Sequence, residues 1–167
     1  MNDLTLRETV AADEDFLWQM LFYASHSYEE PGVEVGDVRA NPDLVPYISG
    51  WRSGGMAGVV AETDVPVGAA WLRVMVDGDR SNPVYLDETT PELAIAVLPG
   101  LEGRGVGTAL LSHLVSEAQS RFPGIVLSAR EGNQAVRLYE RHGFAVIGTM
   151  TNRVGTRSVR MAIRFDR

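Results

Sequence analysis

Residues 92–111 constrain the fold of this chain more than any other stretch, because three structural signals follow one another without a gap. The stretch reads ELAIAVLPGLEGRGVGTALL, and its apolar run, Leu93 to Leu98, stops at Pro99-Gly100. Glycines recur at positions 103, 105 and 107, and a helical spacing of apolar residues starts at Val106. This order predicts a buried strand, a glycine-rich turn and an amphipathic helix.

A turn of this kind is suited to binding a phosphate group. Glycine readily adopts positive φ and lets the backbone approach a ligand closely. The first N–H groups of a helix have no intrahelical acceptor, and the helix dipole favours negative charge at that end by roughly 0.3–1 kcal/mol. We therefore expect a phosphate or a diphosphate at residues 103–108.

Two common phosphate-binding motifs are excluded by composition and spacing. A P-loop needs a lysine after its second glycine, and all 15 basic residues of this chain are arginine. The dinucleotide motif G-x-G-x-x-G needs glycine or alanine at position 108 or 110, where the chain has Thr108 and Leu110. Another kind of phosphate-binding loop is required.

The stretch resembles the acetyl-CoA loop of the GNAT family, the Gcn5-related N-acetyltransferases, whose pattern is Arg/Gln-x-x-Gly-x-Gly/Ala. Here it becomes Glu102-x-x-Gly105-x-Gly107, so Glu102 departs from the family, and Arg104 can offset its charge. A second block, NQAVRLYERHGF at residues 133–144, resembles the last conserved helix of the family, N-x-A-x-x-L-Y-x-x-x-G-F. The two blocks occur in the family's order.

The resemblance implies an α/β (α+β) fold with a mixed central sheet of six to seven strands, splayed central strands and about four flanking helices. Periodicity predicts strands at residues 3–8, 55–63, 66–76, 92–98, 125–127, 144–150 and 157–165. Helices are predicted at residues 16–24, 41–49, 105–121 and 133–143, and loops at 25–40 and 77–90. With no repeat or linker in the sequence, residues 1–167 are expected to form a single GNAT domain.

The resemblance further implies transfer of an acetyl group from acetyl-CoA to a primary amine of a small molecule or peptide by direct attack. A cysteine nucleophile and a thiolate metal site are excluded because the chain has no cysteine, and no metal is expected. The residues that the resemblance assigns to the cofactor are Ile95, Ala96, Val97, Gly103, Arg104, Gly105, Val106, Gly107, Thr108, Asn133 and Tyr139. Asn133 could instead cap the helix, and the side chain of Arg104 could instead face solvent.

Two residues are candidates for the chemistry. Tyr139 occupies the family's Leu-Tyr position and could protonate the departing thiolate, or could be a packed core tyrosine. Glu92 starts the core strand and could remove the amine proton, which costs about 4–5 kcal/mol at pH 7, or could be a solvated carboxylate at a strand end. His26 is a reserve base. His26, Tyr28, Glu29 and Glu30 form a weak candidate site for an ammonium substrate.

Composition limits the partners that we expect. A net charge of −7 favours a cationic substrate over a nucleic acid, and no segment is apolar enough for a membrane partner, so we expect a cytoplasmic protein. The alternating last strand could pair with a second copy at a sheet edge and form a homodimer. Two other functions stay open: a catalytically silent acyl-CoA-binding or sensor protein, suggested by Glu102, and a transferase of longer acyl groups.

Overall fold

The computed structural model of the protein describes residues 3–49, 56–74 and 84–166. Seven strands form one mixed sheet in the order β1-β2-β3-β4-β5-β7-β6, as the predicted fold class requires. The strands are β1 (Thr5–Glu8), β2 (Met56–Glu62), β3 (Pro66–Arg73), β4 (Glu92–Val97), β5 (Gly124–Arg130), β6 (Ala145–Thr151) and β7 (Arg157–Arg164). The four α-helices of the described ranges are α1 (Glu14–Ala24), α2 (Val35–Ala40), α3 (Val106–Ala118) and α4 (Ala135–Arg141).

The chain divides into two compact units. Unit 1 consists of residues 1–73 and 94–114, and unit 2 of residues 74–93 and 115–167. The prediction of a single domain stays a prediction.

One core of unit 1 lies between α1, α2 and one face of the strands, and α3 packs on the other face of β3. The antiparallel strands β2 and β3 present small and β-branched residues to it, and α1 presents apolar residues at helical spacing. The indole N–H of Trp71, a fully buried side chain, donates to the carbonyl of Tyr47 at 2.9 Å. The main buried residues of this core are Leu17, Trp18, Met20, Leu21, Val38, Leu44, Ile48, Val60, Ala69, Trp71 and Ala94.

In unit 2, strand register decides which side chains share a face of the sheet. The strand β4 runs parallel to β5 with one register pair, Glu92 beside Val126, and β7 is antiparallel to both β5 and β6. Paired residues point to the same face. One face of the unit 2 sheet therefore carries Glu92, Val126 and Ala162, the partner of Val126 on β7. Val84 packs on this face.

The helix α4 lies on the opposite face of the unit 2 sheet. A Cβ added to Gly143, which ends the helix, would lie 3.0 Å from Cδ1 of Ile163. Ile163 is one residue beyond Ala162, and alternation along a strand places it on the other face.

Three local predictions differ from the structure. Residues 25–40 are not all loop, because α2 begins at Val35, where Asp37 accepts the N–H of Glu34 at 2.7 Å and caps the helix. The helix predicted at 41–49 is reduced to a 3-10 turn at Val45–Tyr47, since Pro46 supplies no N–H to continue it. Strand β5 also runs three residues past its predicted end at Leu127, to Arg130. Residues 75–83, in the predicted loop and the end of the strand before it, lie outside the described residues.

The last strand does not lie at an edge of the sheet. β7 is flanked by β5 and β6, so β6 is the edge strand at this end. The homodimer stays a prediction, as do the cytoplasmic location and the lack of a nucleic-acid partner. Within the described ranges, no helix has the length and apolar character to span a membrane.

Candidate active site

The glycine loop in unit 1 follows β4 directly and faces open space. The N–H of Leu98 donates to the carbonyl of Val67 at 2.9 Å and holds the end of β4 on β3. Gly100, Gly103 and Gly105 have φ values of 87°, 76° and 87°, which side chains rarely tolerate. A Cβ added to any of these three glycines would meet no atom within 4 Å. Glycine is therefore required by the backbone conformation, and the loop leaves room for a ligand.

The helix α3 begins at this loop with its first amides available. The N–H of Ala109 donates to the carbonyl of Gly105 at 3.0 Å, so the amides of Val106, Gly107 and Thr108 precede the first donor within the helix. Val106 is buried and anchors the turn, whereas Thr108 is exposed. Such amides and the positive end of the helix dipole fit a diphosphate.

Close packing around a glycine of β3 positions the start of α3. A Cβ added to Gly68 would lie 3.1 Å from the carbonyl oxygen of Ala96, 3.2 Å from Leu110 and 3.3 Å from Val106. Strand β3 can therefore approach both β4 and α3 only because residue 68 has no side chain. This packing holds the first turn of α3 beside the end of β4.

The departure at Glu102 has a structural role in the loop. Its carboxylate accepts the N–H of Gly100 at 2.8 Å. The carboxylate that replaces the family's Arg or Gln therefore accepts a hydrogen bond from a backbone amide at the start of the turn. Arg104 is exposed in the same loop, and its contact with a phosphate stays a prediction.

The residues of β4 become more accessible toward the loop. Glu92, Leu93 and Ala94 are buried, whereas Ile95, Ala96 and Val97 are half-buried. The three residues predicted to contact the cofactor thus lie at the accessible end of the strand.

The two candidate catalytic residues lie in unit 2. Glu92 is 3% exposed, so it is not a carboxylate in solvent. Tyr139 is also buried, and its ring meets that of Phe144 edge-on with centroids 5.9 Å apart. Burial raises the pKa of Tyr139 to about 12, because the protein interior disfavours the phenolate. Glu92 points to one face of the unit 2 sheet, and α4, which carries Tyr139, packs on the other.

Asn133 begins α4 as a cap and also lines a groove. Its Oδ1 accepts the N–H of Ala135 at 2.9 Å, which is the alternative role that the sequence allowed. The groove has a volume of about 680 Å³. Its other polar lining includes Arg137 and Arg141, which sequence reasoning missed, although their i, i+4 spacing indicates a common helix face.

The weak substrate candidates of unit 1 are brought together directly after α1. His26 has a φ of 59°, and its Nδ1 lies 3.6 Å from a carboxylate oxygen of Glu29. Tyr28 is 49% exposed, and its ring centroid lies 5.9 Å from those of His26 and Tyr23. Glu30 follows and is half-buried. An exposed aromatic group beside carboxylates can bind an ammonium, but this role stays a prediction.

A glycine loop between a sheet strand and a helix N-terminus, in a mixed sheet of this order, is the architecture of an acetyltransferase. The family model of the acetyltransferase (GNAT) family matches residues 18–144, well over half of the chain. The chain therefore belongs to the GNAT family, and the family predicted from its two motifs is confirmed. No curated protein matches the chain significantly.

Solved structures support the fold. A GNAT acetyltransferase from Streptococcus pneumoniae has a TM-score of 0.72 at 19% identity, covering 98% of this chain and 100% of that one. A ribosomal-protein-alanine N-acetyltransferase from Brucella melitensis has a TM-score of 0.70 at 21% identity, covering 96% and 99%. A spermidine N-acetyltransferase from Vibrio cholerae, solved with CoA and spermine, has a TM-score of 0.66 at 21% identity, covering 96% and 95%.

Proposed function

We propose that the protein is an N-acetyltransferase that transfers the acetyl group of acetyl-CoA to a primary amine of a small molecule or peptide. The open glycine loop with the first amides of α3 carries this proposal, because it matches a diphosphate in shape and charge. The Brucella and Vibrio proteins are named for amine acceptors, alanine of a ribosomal protein and spermidine. Both names support an amine acceptor, but identities of 21% do not select one.

The proposed cofactor contacts are those that the two family motifs assign. In unit 1, the amides of residues 103–108 and Arg104 bind the diphosphate, and residues 95–97 line the path of the pantetheine arm. Acetyl-CoA supplies an activated acetyl thioester. In unit 2, the side-chain NH2 group of Asn133 can donate to the pantetheine arm, because only the side-chain oxygen caps α4.

Glu92 is the proposed base. The amine nitrogen forms a bond to the acetyl carbon while the bond between carbon and sulfur breaks. Two protons leave the ammonium nitrogen in the complete reaction: one passes through Glu92 to solvent, and the other ends on the CoA sulfur. Glu92 is 3% exposed, so a proton transfer to it would take place away from bulk water.

Tyr139 is proposed to donate a hydrogen bond to the departing sulfur. Because Glu92 points to one face of the unit 2 sheet and α4 packs on the other, the proposal requires the base and the hydrogen-bond donor to act on opposite sides of the thioester. With a pKa of about 12, the phenol keeps its proton at neutral pH. A thiol has a pKa near ~8.5, so complete transfer of the phenol proton to the thiolate would be uphill by about 5 kcal/mol. Burial therefore favours stabilisation of the thiolate over full protonation by Tyr139.

Calorimetry with two acetyl thioesters tests the proposal. We expect acetyl-CoA to bind in the micromolar range and S-acetylpantetheine, which lacks the diphosphate, to bind at least tenfold more weakly. Release of free thiol in the presence of a primary amine would then show transfer. Lack of acetyl-CoA binding at millimolar concentration would refute the proposal. Binding without thiol release for any amine would favour the silent acyl-CoA-binding alternative.

A further inference from the structure

Arg160, in the middle of β7, is a partly dehydrated cation that has no matching anion in the described parts of the chain. Its side chain is half-buried, and Nη2 donates to the carbonyl of Tyr85 at 3.2 Å. Its Nε is shielded from solvent and has no hydrogen-bond partner in the described part of the chain. No carboxylate among the described residues forms an ion pair with it. A guanidinium that has exchanged water for one carbonyl gains from a nearby anion.

The residues beside Arg160 on the two neighbouring strands are small. Its partner on β5 is Ser128, which is exposed, and its partner on β6 is Gly148. A Cβ added to Gly148 would meet no atom within 4 Å. We call Ser128, Arg160 and Gly148 the Arg160 row. The row offers a cation and a hydroxyl donor, and it carries no side chain at Gly148.

The Arg160 row lies on the same face of the unit 2 sheet as Glu92. Glu92 pairs with Val126, and Ser128 follows two residues later on β5. At 3.3 Å per residue and about 4.8 Å between strands, the Cα atoms of Glu92 and Arg160 are about 12 Å apart. Both side chains rise from the same face, so a small molecule that lies across it can contact the two of them.

We propose that the Arg160 row binds a carboxylate of the acceptor, so that the acceptor is an amino carboxylate such as an amino acid or a short peptide. This inference rests on the proposed function and on Glu92 receiving the amine proton. A guanidinium fixed by Tyr85 pairs well with a planar carboxylate, and the Ser128 hydroxyl adds a second donor. A polyamine would place a second cation beside Arg160 and is disfavoured.

The test compares matched acceptors by thiol release. The acceptors are ω-amino acids of increasing length, from glycine to aminohexanoate, each paired with its carboxamide, and spermidine. We expect kcat/KM to favour at least one acid over its carboxamide by about tenfold or more. In Arg160→Gln, that acid should lose about 10–100-fold, whereas its carboxamide should change less than about threefold. The carboxamide rate also reports whether the variant is folded.

Two further variants sharpen the test. Arg164→Gln removes an exposed arginine from the same strand and face, and should leave the acid-to-carboxamide ratio unchanged. Gly148→Val fills the open space and should raise KM for the acid. Equal use of acids and carboxamides, equal losses in Arg160→Gln, or preference for spermidine would overturn the inference. Absence of thiol release with every amine would instead refute the proposed function.

Discussion

Replacement of Tyr139 by phenylalanine separates the two ways in which a tyrosine could assist the leaving group. The phenylalanine keeps the ring and its contact with Phe144, so folding should be preserved. Full proton transfer from Tyr139 is uphill by about 5 kcal/mol, as worked out above from a pKa of about 12. The remaining contribution is a hydrogen bond to a charged sulfur, about 1.5–3 kcal/mol.

We therefore expect kcat of Tyr139→Phe to fall about 10–150-fold, with the affinity for acetyl-CoA unchanged within about twofold. Thiol-release kinetics and calorimetry measure the two quantities. A loss above about a thousandfold would indicate full proton donation and refute the hydrogen-bond argument. An unchanged kcat would exclude Tyr139 from the chemistry.

The pH dependence of the free energy of unfolding, compared between the wild type and Tyr139→Phe, tests whether the pKa of Tyr139 is raised. Because the pKa of Tyr139 is raised to about 12 in the folded protein, the folded state holds this proton more tightly than the unfolded state, whose pKa is near ~10. The associated stability is complete below pH ~10 and is lost as the pH rises toward ~12. At pH ~11, urea unfolding should show that the wild type has lost about 1.4 kcal/mol more than Tyr139→Phe, relative to pH ~9. Equal losses would contradict the burial effect.

Three other substitutions test the loop and the fold. Gly105→Ala and its control Gly155→Ala, with φ values of 87° and 89°, should each destabilise the protein by about 1–2 kcal/mol in urea unfolding, but only the former should weaken acetyl-CoA binding in calorimetry. Glu102→Gln keeps an acceptor for the N–H of the turn and removes a charge, so acetyl-CoA should bind about 2–5-fold more tightly, and unchanged or weaker binding would contradict this. Asp13 is buried, and hydrogen bonds from Arg7 lower its pKa, so its stabilisation is present above pH ~4 and is lost as the pH falls further. Asp13→Asn should therefore lose about 2–3 kcal/mol at pH ~7, and this loss should shrink as the pH falls below ~4 in urea unfolding.

The sequence predicted best those elements whose signals are local. The β4 strand, the glycine loop and α3 were predicted because an apolar run, positive-φ glycines and helical spacing each depend on neighbouring residues. The edges of the hairpins were also predicted to within a few residues, since alternation and turn residues mark them.

The helix α2 shows why another part of the fold could not be predicted. Its residues include Gly36 and two valines, which are poor helix formers, and Val38 is its buried residue. Contacts with α1 compensate: Arg39 lies 5.4 Å from the ring centroid of Trp18 and pairs with Asp15. These contacts depend on tertiary structure, which local propensity does not contain.

The site shows a similar division. Alternation predicts the face on which Glu92 lies, but its burial depends on the segment that precedes β4 and on the pairing with β5. The Arg160 row depends on the register of three strands that are distant in sequence, so Ser128, Arg160 and Gly148 carry no common motif. Residue roles within one contiguous motif could be predicted, whereas roles that arise from strand order could not.

Charge at two length scales explains how an acidic protein can favour an acceptor that carries a carboxylate. The net charge of −7 attracts any cationic amine, but at physiological salt this attraction is screened beyond about 8 Å. The half-buried guanidinium of Arg160 acts at hydrogen-bond distance, where screening is weak. The long-range field would therefore concentrate amines of every kind near the protein. The Arg160 row would then discriminate among them, because the guanidinium of Arg160 repels the second cation of a polyamine at short distance.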